Sequence, residues 1–162
     1  MTSRSLIAAL TVIVALLVSP RSAHAQIEDV KITVDGLTCN LCAAGLDRSL
    51  RRVDGVASVR VVLASQVAMV RLRPNARVAP PQLRAAVESA GQRLRGMELQ
   101  VHGTLQRENG RYRLQAPAPA QVFALRDNPK LQALAGKTVR LRGRVLVPDA
   151  PDVELEVIEV RP

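Results

Sequence analysis

Apolar residues recur at two distinct periods along this chain, and the change of period marks its elements. After Gln26, Val30, Ile32 and Val34 alternate with Lys31, Thr33 and Asp35, the period of two expected of a half-buried strand. Leu46, Leu50 and Val53 then recur at spacings of four and three, which predicts a helix that stops at Asp54-Gly55. Val59–Leu63 and Val67–Leu72 read as two strands joined by a turn around Ala64-Ser65-Gln66, with Pro74 ending the second. Pro80 and Pro81 suit the first turn of a second helix, Leu83 and Val87 share its inner face, and Gly91 is placed to cap its end. Residues 97–101 (MELQV) alternate as a strand. The order β-α-β-β-α-β over about 70 residues is a split βαβ arrangement.

Beyond Val101 the pattern becomes almost wholly β. Asn109-Gly110 is a strong hairpin signal. Residues 121–127 read as a strand, 128–136 as a short helix closed by Gly136, and 137–148 and 153–160 as two alternating strands turned at Pro148–Pro151. Three strands, one helix and two more strands predict a small OB-like β-barrel. The fold class is therefore α+β, a ferredoxin-like βαββαβ sandwich followed by a small, mostly β barrel. The segments are 1–25, 26–99 and 100–162, and Met97 to Leu105 reads as one strand able to serve both later segments.

The first 25 residues have the layout of a secretory signal peptide. Arg4 is followed by an apolar run from Leu6 to Val18, and Ala23-His24-Ala25 fits a small-residue cleavage site after Ala25. Those 13 apolar residues fall short of the about 20 needed to span a bilayer. The expectation is a periplasmic or secreted protein that does not span the membrane once processed. Such a chain carries 21 basic and 14 acidic residues, a net of +7 favouring acidic partners or anionic surfaces. Its aromatics are Tyr112 and Phe123 alone, so Val, Leu, Ile and Ala must fill the core. Two aromatics also make a poor stacking platform, and Arg111-Tyr112-Arg113 reads as a solvated strand face, not a nucleic-acid site. One histidine and scattered acids and serines supply no nucleophile-and-base set, so no enzyme activity is expected.

The chemistry is concentrated in Gly36–Cys42, GLTCNLC, which holds both cysteines. Cys42 belongs in the first turn of the first helix and Cys39 in the loop before it, where helix dipole and free N–H groups favour thiolate. Two sulfurs aimed at one point suit a soft ion of low coordination number, such as Cu(I). They suit zinc poorly, since a structural zinc site takes four protein ligands. The same spacing fits a thiol–disulfide redox pair or a passive disulfide in an oxidising compartment. Spacing alone leaves the three open. His102 is a candidate extra ligand if the barrel folds back over the loop.

GLTCNLC resembles the GMTCxxC signature of heavy-metal-associated domains, found in copper chaperones, copper-ATPase amino-terminal modules and periplasmic mercuric-ion-binding proteins. The resemblance extends through VDGV after the first helix, the hairpin SVRVVLASQVAMVRL and LRAAVESAG in the second helix, covering about residues 27–99. It implies metal binding by Cys39 and Cys42, with Cu(I) favoured and Hg(II) or Zn(II) as further ions. The partner it implies is a metal-transporting membrane ATPase or another metal-binding protein with an acidic docking face, which Arg48, Arg51 and Arg52 beside the site would steer. Two departures stand out. Leu37 replaces a methionine that packs beneath the loop, and Gln92 replaces an aromatic that shields the site, leaving it more open. Gly45 lies inside the first helix, where close packing is one reason for a glycine. The other readings are a thiol–disulfide protein, and an interaction module whose heavy-metal-associated domain has lost physiological metal binding.

Overall fold

The computed structural model describes residues 27–77, 79–117, 120–150 and 152–162. The expected signal peptide and cleavage site lie outside them. Among the described residues no helix is long and apolar enough to cross a membrane.

In chain order the elements are β1 (Ile27–Asp35), α1 (Asn40–Arg51), β2 (Val56–Val62), a 3-10 turn (Leu63–Ser65), β3 (Val67–Leu72), α2 (Pro80–Ser89) and β4 (Arg93–Glu108). Then follow β5 (Arg111–Pro117), β6 (Ala120–Leu125), a 3-10 helix (Pro129–Leu134), β7 (Thr138–Val145) and β8 (Glu154–Arg161). The first half is the expected βαββαβ sandwich. Its antiparallel sheet runs β2-β3-β1-β4, with Val30 opposite Val70 on one side and Leu99 on the other. Val30, Ile32 and Val34 bury one face of β1 beneath the helices, and Leu46 and Leu50 of α1 meet Leu83 and Val87 of α2 in the same core. Each large apolar side chain so buried contributes about 1.5–3 kcal/mol. The Ser49 hydroxyl donates to the Ala86 carbonyl at 2.7 Å and lies 2.8 Å from the Ser89 hydroxyl, tying α1 to α2.

The second half is a closed five-stranded barrel, β4-β5-β6-β8-β7 and back to β4. All its pairs are antiparallel except β6–β8. Tyr112, Leu114, Phe123, Leu131, Leu141 and Leu155 fill it. The helix expected at 128–136 is a 3-10 helix capped by the Asn128 side chain, which accepts from the Lys130 N–H.

One strand belongs to both halves. β4 is 16 residues long; its Arg93–Val101 portion pairs with β1, and its Glu98–Thr104 portion pairs with β7. The boundary at 99/100 falls inside this strand, so the halves are joined without a linker. They also touch beside α2, where Arg84 pairs with Asp149, and at Arg77, which donates to the Ala120 carbonyl at 2.8 Å.

Candidate metal-binding loop

The loop between β1 and α1 is built from both sides. β1 delivers Asp35 opposite Arg93 at the start of β4, and the Arg95 guanidinium pairs with the Asp35 carboxylate at 3.1 Å. Val34 donates to the Gln66 carbonyl at 3.0 Å, bringing the β2–β3 turn to the same end of the sheet. Gly36 then takes φ +90°, a left-handed conformation that spares a side chain the strain a Cβ would bring. Leu37 turns inward and is 2% exposed, filling the place the resemblance assigns to methionine.

Cys39 is the N-cap residue of α1. Its extended backbone starts the helix, and its Sγ accepts the Cys42 N–H at 3.0 Å. Cys39 is exposed, and Cys42 is half-buried against the core. Their Cα atoms are 5.1 Å apart and their sulfurs are joined in a disulfide. In this state the pair offers no thiolate. Two-electron reduction must precede any coordination of a soft ion. Both sulfurs then lie at the positive end of α1, which stabilises their ionised forms. Leu41, between the cysteines, is 80% exposed, so the loop faces solvent without an apolar cover.

His102 is not brought to this loop. It follows Arg93 by nine positions on β4, about 30 Å of extended strand, and pairs with Arg140 beside the barrel. Among the described residues no group of three or more His, Cys, Asp and Glu side chains is arranged to hold a metal. The two sulfurs stand alone.

The three arginines expected beside the site lie further along α1. Arg48, Arg51 and Arg52 come six, nine and ten positions after Cys42, about 9 to 15 Å down the helix axis. Arg51 is also engaged: it donates to Asp47 at 2.7 Å and to the Val59 carbonyl at 2.9 Å. The Asp47 hydrogen bond, then its charge, raises the Arg51 pKa from the ordinary value. The cations at the loop end are instead Arg95, held by Asp35, and Arg93, which has no ion-pair partner among the described residues. Helical rise carries α1 away from the loop while the start of β4 comes back to it. The βαββαβ order already contained that signal.

Gln92 is 7% exposed, with its amide folded beneath the loop. A Cβ placed on Gly36 would lie 3.3 Å from Gln92 Oε1. The substitute for the aromatic thus leaves Cys39 and Leu41 open and lies under Gly36. Burial of this polar side chain gave no signal in the sequence, since exposed Arg93 follows it directly.

Residues 31–93 match the heavy-metal-associated domain model. Human Copper-transporting ATPase 2 is 35% identical over 71 residues, covering 44% of this chain and 5% of that protein, and the rat protein of the same name is 37% identical over 54 residues, covering 33% and 4%. The chain therefore spans about a twentieth of the length of these curated relatives. Among solved structures, the CopZ metallochaperone is 27% identical with TM-score 0.38, covering 41% of this chain and 97% of that one. Oxidized MerP from Ralstonia metallidurans CH34 is 26% identical with TM-score 0.37, covering 44% and 97%. Residues 31–93, which hold the loop and both cysteines, thus match a heavy-metal-associated domain, and this part of the chain is similar to part of Copper-transporting ATPase 2.

Proposed function

We propose that this protein is an exported carrier of a soft metal ion, Cu(I) before Hg(II) or Zn(II), and not an enzyme. The observation that carries this reading is the placement of Cys39, exposed, as N-cap and of Cys42, half-buried, in the first turn of α1. A two-sulfur site without a third ligand favours an ion content with two partners. An open site also allows ligand exchange, in which an incoming thiolate binds before one of the original sulfurs leaves. The names of the curated relatives support copper as the cargo and a metal-transporting membrane ATPase, or a comparable metal-binding protein, as the partner. Arg93 at the loop end supplies the charge that an acidic docking face would meet.

The barrel is inferred to be OB-type. Its closure in the order first-second-third-fifth-fourth, the parallel third–fifth pair and the helix between the third and fourth strands support that assignment. Its β7 pairs with β4 over Glu98–Thr104, past the loop-end residues Arg93 and Arg95. Nucleic acid is not proposed as its ligand.

Anaerobic titration of the reduced protein against Cu(I) and Zn(II) chelators of known affinity tests the carrier reading. One Cu(I) per chain, lost in Cys39→Ser/Cys42→Ser, is the expected result; tighter zinc binding, or no binding of either ion, overturns it. The disulfide favours a second reading, a thiol–disulfide exchange protein. Rapid exchange with a reduced or scrambled client, together with no metal uptake, would select it.

A further inference from the structure

Gln92 is the buried polar side chain of the described core, and its Oε1 has no hydrogen-bond partner. The other amide atom, Nε2, donates to the Ala90 carbonyl at 3.4 Å. Exchanging the two would set oxygen against oxygen at Ala90, so the carbonyl end must face the loop. It faces Gly36, and a buried acceptor left without a donor is destabilising.

A donor without an acceptor lies close by. The Leu37 N–H has no acceptor among the described residues, while Thr38 donates to the Gly36 carbonyl at 3.0 Å. That tight turn fixes the plane of the Gly36–Leu37 peptide. The disulfide at Cys39 then anchors the loop's far side to the first turn of α1. The two unmatched groups thus both lie at Gly36: the acceptor faces it, and the donor follows it in the chain. The hinge is a glycine at φ +90°, a residue type that crosses between left- and right-handed backbone at little cost.

We propose that Gln92 sets the redox poise of the loop: its amide oxygen accepts the Leu37 N–H in the dithiol form and is orphaned when the disulfide closes. In the reduction, two glutathione thiols donate two electrons and two protons. The Cys39–Cys42 S–S bond breaks, each Sγ gains a proton, and glutathione disulfide forms. The loop, released at Cys39, rotates the Gly36–Leu37 peptide and pairs the donor with the acceptor. Gln92 therefore favours the reduced state, the one that a thiophilic cargo requires. The inference concerns the loop used in the carrier reading, but it holds whether or not an ion ever binds there.

The test equilibrates the full chain with metal-free glutathione buffers and reads the fraction reduced by thiol alkylation and mass. Gln92→Met keeps the length of the side chain and removes the acceptor. It is expected to favour the disulfide about tenfold, moving the midpoint about 30 mV more negative. Gln92→Leu must move it in the same sense. An unmoved midpoint, or a shift toward easier reduction, overturns the inference, because a merely structural role would change the stability of both redox forms equally. Amide hydrogen exchange on the unmodified sequence is an independent readout. The Leu37 N–H should be protected in the dithiol and unprotected in the disulfide, and the reverse pattern also overturns it. A chain whose midpoint moves as stated but which ignores Cu(I) would keep this inference and lose the carrier reading.

Discussion

The Cys42 N–H donates to the Cys39 sulfur at 3.0 Å, so the first cysteine of the pair is also the cap of the helix that carries the second. One atom serves the chemistry and the local fold together. Serine caps helices well and alanine does not. Cys39→Ser and Cys39→Ala both abolish the disulfide and the two-sulfur site, yet Cys39→Ser should be the more stable by about 1 kcal/mol in urea unfolding. Equal stabilities would show that the sulfur does not act as a cap.

Gly45 gives the opposite case, a helical glycine that nothing requires. A Cβ built there meets no atom within 4 Å, which sets aside close packing as its reason. Gly45→Ala should stabilise the chain by about 0.5–1 kcal/mol, through helix propensity and a less flexible unfolded state. Thermal unfolding of the oxidised protein checks it, and a loss of stability would mean that the helix face is not open.

How far the sequence reached follows from which forces act locally. Alternation placed β1 and β3, helical spacing placed α1 and α2, and Asn109-Gly110 placed the β4–β5 hairpin, because each depends on near neighbours. Cys39 and Cys42 were legible as a pair for the same reason. The burial of Gln92 and the distance of His102 from the loop were not, since both depend on how a strand far along the chain returns to it. β4 brings Arg93 to Asp35 and carries His102 away to Arg140. Arg48, Arg51 and Arg52, close to the cysteines in sequence, lie off the site because a rise of about 1.5 Å per residue carries them down the helix.

Gly103 is required by the close approach of β5 to β4. A Cβ there would lie 2.5 Å from the Gln115 carbonyl oxygen of β5, a backbone atom that cannot swing aside. Gly103→Ala should destabilise the chain by about 1–3 kcal/mol, the usual cost of overpacking. Its effect should be similar in the oxidised and reduced proteins, because Gly103 lies on the barrel side of β4. Urea midpoints of both forms measure this, and a change confined to one redox form would contradict it.

Arg93 provides the sharpest test of how a partner would be met. It faces Asp35 across β1 and β4, at the end of the sheet where the loop begins, whereas Asp47 and the Val59 carbonyl already engage Arg51. An exposed charge near a docking face acts mainly on the association rate, and salt screens it over about 10 Å at 0.1 M. Arg93→Glu should therefore slow Cu(I) transfer to an acidic acceptor domain several-fold at low salt, and the difference should shrink as salt rises. Intrinsic Cu(I) affinity should stay unchanged, since no guanidinium ligates the ion. Arg52→Glu, at the far end of α1, should slow transfer much less, and stopped-flow exchange at two ionic strengths separates the variants. If Arg52→Glu proves the slower, the partner approaches along the helix and not over the loop.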